Sequence, residues 1–144
     1  MPSSKILIPV DGSSASLHAM DFGIEMATQN PRTSLVLLNV QNIPAIALAD
    51  ASALPTDWPD AAASQAADQA LKGAIEKCEG ASVDFKTLVK IGKTAETIAQ
   101  VADEEGVKHI VMGTRGLGGV QGLLLGSVTT KVIHLAEVPI TLIK

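Results

Sequence analysis

Val111-Met-Gly-Thr-Arg-Gly-Leu-Gly-Gly-Val-Gln-Gly-Leu-Leu-Leu-Gly-Ser-Val-Thr-Thr130 decides how the chain is read. It leaves an apolar run, His109 to Met112, that has the character of a buried strand. It passes Gly113, Gly116, Gly118, Gly119 and Gly126, then opens a helix at Gly126-Ser127 with Val128, Val132, Leu135 and Ala136 on its apolar side. A strand, a glycine-rich loop and a helix N-terminus suit an anion. Backbone N–H groups approach phosphate oxygens closely where side chains are missing, and the positive end of the helix favours negative charge.

Outward from this stretch, strands and helices alternate. Ile6–Val10 is a short apolar strand, and Asp11-Gly-Ser-Ser14 is a turn and helix start. Leu17, Met20, Ile24 and Ala27 recur on one helical face until Asn30-Pro-Arg-Thr33 breaks it. Ser34–Val40 is apolar on both faces, as a central parallel strand is. The segment from Gln41 to Pro59, with Pro44, Pro55, Pro59 and the sole Trp58, reads as a long loop. From Asp60 to about Gly80 a helix places Ala63, Ala66, Ala67, Ala70, Leu71, Ala74, Ile75 and Cys78 on one stripe. Val83–Val89 alternates like an edge strand. A third helix after Gly92-Lys-Thr94 turns Ala95, Ile98, Ala99 and Ala102 inward and stops at Gly106. Lys108–Met112 is the fourth strand. Val138–Ile143 is the last, and Pro139 puts it at an edge or at a strand start. The alternation predicts one domain over residues 1–144, an open parallel five-stranded α/β sheet with helices on both faces. Ligands of such sheets bind beyond the carboxyl ends of the strands, where the strand order reverses.

Composition narrows the function. The chain has 144 residues, 47% of them apolar, yet Phe22, Trp58 and Phe85 are its only aromatics, so the core is aliphatic. Eleven basic and fifteen acidic residues give a net charge of −4 without a basic run, which argues against nucleic acid as a partner. Cys78 is the only cysteine, which excludes an internal disulfide and a Cys-rich zinc site. No apolar run reaches the roughly 20 residues of a membrane-spanning helix. With no signal-peptide layout in Met1–Lys5, the expected location is the cytoplasm. His18, His109 and His134 lack metal-ligand spacing, His109 is read as structural, and Cys78 is read as buried and inert.

Two familiar nucleotide motifs fail. Gly92-Lys93-Thr94 has Thr87 where a P-loop needs its first glycine, and Gln121 stands where Gly116 and Gly118 would need the third glycine of a dinucleotide fingerprint. What fits is Gly113-x2-Gly116-x9-Gly126-Ser127.

With the Lys5-Ile-Leu-Ile-Pro-Val-Asp-Gly-Ser13 opening, the strand at Leu35–Val40 and the Val138-Pro-Ile140 ending, this loop makes the whole chain resemble the universal stress protein family, in its nucleotide-binding branch. The resemblance implies a Rossmann-like sheet of the adenine nucleotide alpha hydrolase type, ordered 3-2-1-4-5. It implies ATP, with Mg²⁺, as ligand, and a homodimer through the C-terminal strand. The implied role is a nucleotide-dependent regulator in stress response, working with a protein partner the sequence does not identify. A slow ATPase or autophosphorylating enzyme is the alternative, and a nucleotide-free dimerisation module the second. Residue by residue, Pro9 and Val40 would flank the base, and Met112 and Gly113 would meet adenine and ribose. Gly116, Gly126 and Ser127 would hold phosphates, helped by the amides of Val128 and Thr129. Asp11 would lie near the ribose or phosphates, or help Ser13 cap the first helix. Ser127 has the alternative of a plain N-cap. Arg115 is read as solvated, with pairing to a terminal phosphate as the alternative.

Overall fold

The computed structural model describes residues 3–42, 60–115 and 125–144, and the side chains of its second helix from residue 64 onward. The elements run β1 (Ser4–Pro9), α1 (Ser14–Gln29), β2 (Thr33–Gln41), α2 (Asp60–Ala81), β3 (Phe85–Ile91), α3 (Thr94–Glu105), β4 (His109–Gly113), α4 (Ser127–Leu135) and β5 (Ile140–Ile143). The five strands form one parallel sheet in the order β3-β2-β1-β4-β5. This is the order the resemblance implied. It makes β1 and β4 neighbours, with Ile6 opposite His109 and Leu7 opposite Ile110.

Strand period two explains the layers. Ile6, Ile8, Leu35, Leu37 and Val111 face α1 and α2, where Met20, Ala27, Leu71, Ala74 and Cys78 close one core. Leu7, Val36, Leu38, Ile110 and Met112 face α3 and α4, where Ile98, Val101, Ala102 and Val132 close the other. Neighbouring residues of a central strand thus enter opposite cores, which is why β1 and β2 read as unbroken apolar runs. Both strands expected at edges are at edges.

Several boundaries and faces differ from the sequence reading. Helix α2 runs past Gly80 to Ala81, and Ser82, at φ 55°, makes the left-handed turn. Strand β3 starts at Phe85 and continues to Ile91, because Val83 N–H donates back to Cys78 O and finishes the helix end. Ala66 is exposed rather than part of the apolar stripe. In α3, Val101 is buried and Ala99 only half-buried, since Ile98, Val101 and Ala102 form the tighter stripe. Leu135 is 43% exposed, for the chain leaves the helix there and Ala136 and Val138 pack against the core instead. Gly106 takes the left-handed conformation at φ 65° and stops α3 as expected. Pro139 directly precedes β5. The segment read as a long loop lies outside the described residues except for Gln41 and Asn42, as do Gly116, Gly118 and Gly119.

Candidate functional site

Three strand ends meet at the carboxyl edge of the sheet. At the first, β1 ends at Pro9, and the N–H of Val10, the next residue, donates to Leu38 O at 2.8 Å. The chain then turns through Gly12, whose φ of +85° suits glycine and would strain another residue. Asp11 Oδ1 accepts from Ser13 N–H at 2.9 Å, and Ser13 Oγ accepts from Ser16 N–H at 3.2 Å. The capping role read for Asp11 and Ser13 is therefore present.

At the second, β4 delivers buried Met112, then Gly113, Thr114 and exposed Arg115. Thr114 N–H donates to Ile143 O at 2.9 Å, and Thr114 O accepts from Gly126 N–H at 2.7 Å. That second bond closes the stem of the glycine loop and brings the start of α4 beside the end of β4. Thr129 Oγ1 donates to Gly113 O at 3.0 Å and fastens the helix there. The N-cap of α4 is Gly126, not Ser127. Ser127 is the first helical residue, and no side chain hydrogen-bonds into the cap. The amides of Ser127, Val128 and Thr129 have no acceptor within the helix by its geometry, and the positive end of the helix dipole lies among them.

At the third, β2 ends in Leu38, Asn39, Val40 and Gln41. Asn39 is 3% exposed, and its Nδ2 donates to Val10 O at 2.8 Å. Gln41 Nε2 donates to Asn39 Oδ1, and Thr94 Oγ1 donates to Asn42 Oδ1 at 2.9 Å. The sequence reading missed this polar group. Its signal was the single amide inside an apolar strand, since a buried amide has to find partners.

Together these ends enclose a cavity of about 450 Å³, within the range of small-molecule sites. Pro9, Asp11, Val40, Met112, Gly113, Arg115, Gly126, Ser127, Val128 and Thr129 all line it, and Gly116 lies outside the described residues. Val10, Ser13, Ser16, Leu38, Asn39, Gln41, Asn42, Ala66, Ala70, Thr94 and Ile98 complete the walls among the described residues. Among the described residues lining it, Asp11 is the one carboxylate and Arg115 the one cation.

Sequence comparison agrees with the architecture. The Universal stress protein family profile matches residues 2–144. The chain belongs to the universal stress protein family. It is 29% identical over 147 residues to universal stress protein YxiE of Bacillus subtilis, covering 98% of this chain and 99% of YxiE. Among solved structures, MJ0577 of Methanocaldococcus jannaschii superposes with a TM-score of 0.84 at 24% identity, over 100% of this chain and 97% of that one. A universal stress protein from Archaeoglobus fulgidus in complex with dAMP superposes with a TM-score of 0.72 at 20% identity, over the whole of both chains. Two further structures, one in complex with cAMP and one from Arabidopsis thaliana with AMP bound, each give a TM-score of 0.69 at 21% identity. They cover 100% and 98% of this chain, and 98% and 91% of their own. These likenesses show the fold.

Outside the cavity, His109 Nε2 lies 2.6 Å from Thr141 Oγ1 and ties β4 to β5. Cys78 is buried in the α2 core, and desolvation, with a smaller contribution from the Glu79 charge, pushes its thiol up to about 11. Among the described residues no cluster of three or more His, Cys, Asp or Glu side chains is arranged to hold a metal. No helix among them is long and apolar enough to cross a membrane.

Proposed function

We propose that this chain is an ATP-binding regulator, with the triphosphate at the start of α4 and the adenine between the ends of β1, β2 and β4. The observation that carries the proposal is the convergence of six chain segments, from the ends of β1, β2 and β4 and from α2, α3 and α4, on one cavity with chemically different ends. One end has the open N-terminus of α4 beside Arg115. Main-chain amides and a guanidinium there match an anion. At the end of β2 and the start of α3 the described lining residues Asn39, Gln41, Asn42 and Thr94 are uncharged. Pro9, Val40, Ile98 and Met112 supply apolar walls of the kind that hold a flat heterocycle. Solved proteins of this fold carrying dAMP, AMP and cAMP support an adenine nucleotide as the ligand class.

Within the proposal, Pro9 and Val40 flank the base, and Met112 and Gly113 meet adenine and ribose. Gly116, Gly126, Ser127, Val128 and Thr129 face the phosphates, Arg115 pairs with the terminal one, and Asp11 lies near the ribose. Mg²⁺ would share the phosphate charge. Because Mg²⁺ usually keeps several of its waters, Asp11 would contact such an ion through water. The proposal is for binding and sensing, and it includes a homodimer across β5, whose four residues are all half-buried in one chain.

The test is nucleotide release from purified protein by denaturation, identification by chromatography, and titration of ATP against wild type and Gly126→Val. Recovery of ATP near one per chain, with affinity lost in the variant while its circular dichroism is kept, is the expected result. Folded protein that neither carries nor binds nucleotide would sink the proposal.

A further inference from the structure

The buried amide of Asn39 takes the place where the β1–β2 ladder would make its next bond. We infer that Asn39 is a positioning residue for the ligand: it ends this ladder one bond early and keeps the Val40 N–H available to an acceptor atom in the cavity. The inference rests on the nucleotide reading and adds to it a residue that prepares the site.

The ladders fix which way each peptide of β2 faces. Leu35 N–H donates to Asp84 O, and Gln41 O accepts from Gly92 N–H, so the odd-numbered residues of β2 bond toward β3. Arg32 O accepts from Ser4 N–H and Leu38 O from Val10 N–H, so the even-numbered ones bond toward β1. The N–H and C=O of Val40 therefore lie on the β1 side. In a parallel ladder, a residue whose N–H reaches one carbonyl offers its own C=O to the N–H two residues beyond that carbonyl. Val10 N–H reaches Leu38 O, so Val40 N–H is the next donor due at Val10 O.

Among the described residues that bond is not made. Val10 O accepts Asn39 Nδ2 instead, at 2.8 Å. Asn39 is 3% exposed, and its Oδ1 accepts from Gln41 Nε2, so both ends of its amide are engaged. Leu35 and Leu37, on the same face of β2, belong to the apolar core. Asn39 interrupts that row where β1 has ended and the chain turns away through Gly12. An apolar side chain would continue the row and leave Val10 O to Val40. The Asn39 amide satisfies the carbonyl without spending a main-chain donor. Val40 is half-buried and lines the cavity, where its N–H gains a partner when a ligand acceptor arrives.

The test is amide hydrogen exchange on the whole isotope-labelled chain, read by nuclear magnetic resonance, with calorimetric titration of ATP and Mg²⁺ alongside. Without nucleotide, Val40 N–H should exchange at least about tenfold faster than Leu38 N–H, which lies inside the ladder. Saturating ATP should slow it. In Asn39→Leu the bond from Val40 to Val10 closes, so Val40 should exchange slowly without nucleotide. ATP should then bind about tenfold more weakly, as loss of one hydrogen bond gives. Asn39→Val serves as a second variant should the first fold poorly. A merely structural Asn39 would not move the Val40 exchange. Slow exchange of Val40 in nucleotide-free wild type overturns the inference without any variant and leaves the nucleotide reading standing. So does a folded variant that keeps wild-type ATP affinity. Folded wild type that binds no ATP overturns the nucleotide reading and the inference with it.

Discussion

Replacing Gly113 with alanine tests whether β4 and α1 touch as closely as the structure has them. An alanine Cβ at this position would lie 2.7 Å from Ala15 Cβ, 3.0 Å from Ala15 C and 3.1 Å from Ala15 O. Carbon atoms prefer about 3.5–4.0 Å, so the first contact is short by about 1 Å. The atoms in the way belong to the second residue of α1, a helix capped by Ser13, and they cannot rotate aside. The φ of Gly113 is not positive, so alanine brings no backbone strain and the effect is steric. Overpacking of this kind costs about 1–3 kcal/mol. Removing glycine from the unfolded chain offsets about 0.4–1 kcal/mol of it. The net loss should be about 1–2 kcal/mol, lowering Tm by roughly 2–8 °C in a chain of this size. Gly80→Ala is the control. Nothing lies within 4 Å of its added Cβ, and it sits in the last turns of α2, so it should gain about 0.5–1 kcal/mol. Urea and thermal unfolding should rank Gly80→Ala above wild type and wild type above Gly113→Ala. Gly113→Ala as stable as wild type, with Gly80→Ala behaving as stated, would refute the close approach.

Two further outcomes can be checked with the same protein. The hydrogen bond from Lys86, reinforced by its charge and by Lys5, holds the Glu105 carboxyl below the ordinary glutamate range, against opposing desolvation. A depressed carboxyl stabilises above its unfolded pKa, and that contribution is lost as pH falls through its folded value. Glu105→Gln should therefore lose less stability on acidification than wild type, and parallel urea midpoints from neutral to acid pH would remove the triad from the account. For the proposed homodimer, sedimentation over a hundredfold range of concentration should give twice the chain mass, with dissociation at the dilute end. A single-chain mass throughout would leave the edge of β5 and the nearby exposed Ile133 and Leu135 without the proposed partner.

How much of this was legible in the sequence depends on what each feature needs as its cause. The elements were legible because strand and helix periods are local. Ile6, Leu7 and Ile8 announce a strand buried on both faces, and Asp11-Gly-Ser-Ser14 announces the cap that follows it. Part of the cavity lining was legible because a glycine loop ending at a helix start is also local. Strand order was not. Nothing in Ile6–Val10 or His109–Met112 says that they are neighbours, and the order came from a resemblance carried by spacing over the whole chain.

Gly113 shows where local reading ends. In the sequence it belongs to a phosphate loop, and its missing side chain is explained by a ligand. In the structure the space a Cβ would take is already occupied by Ala15, so the fold requires glycine there whether or not any ligand binds. Gly126 is the opposite case. An added Cβ would meet Arg115 Cα and Thr114 O at an ordinary 3.5 Å, and its φ of −73° suits any residue. Packing gives Gly126 little reason to be glycine, whereas a main chain open to an anion at the head of α4 gives it one. The two glycines look alike in the motif, but only a substitution at Gly126 separates ligand binding from folding. For that reason the nucleotide titration belongs on Gly126→Val, and the stability experiment belongs on Gly113→Ala.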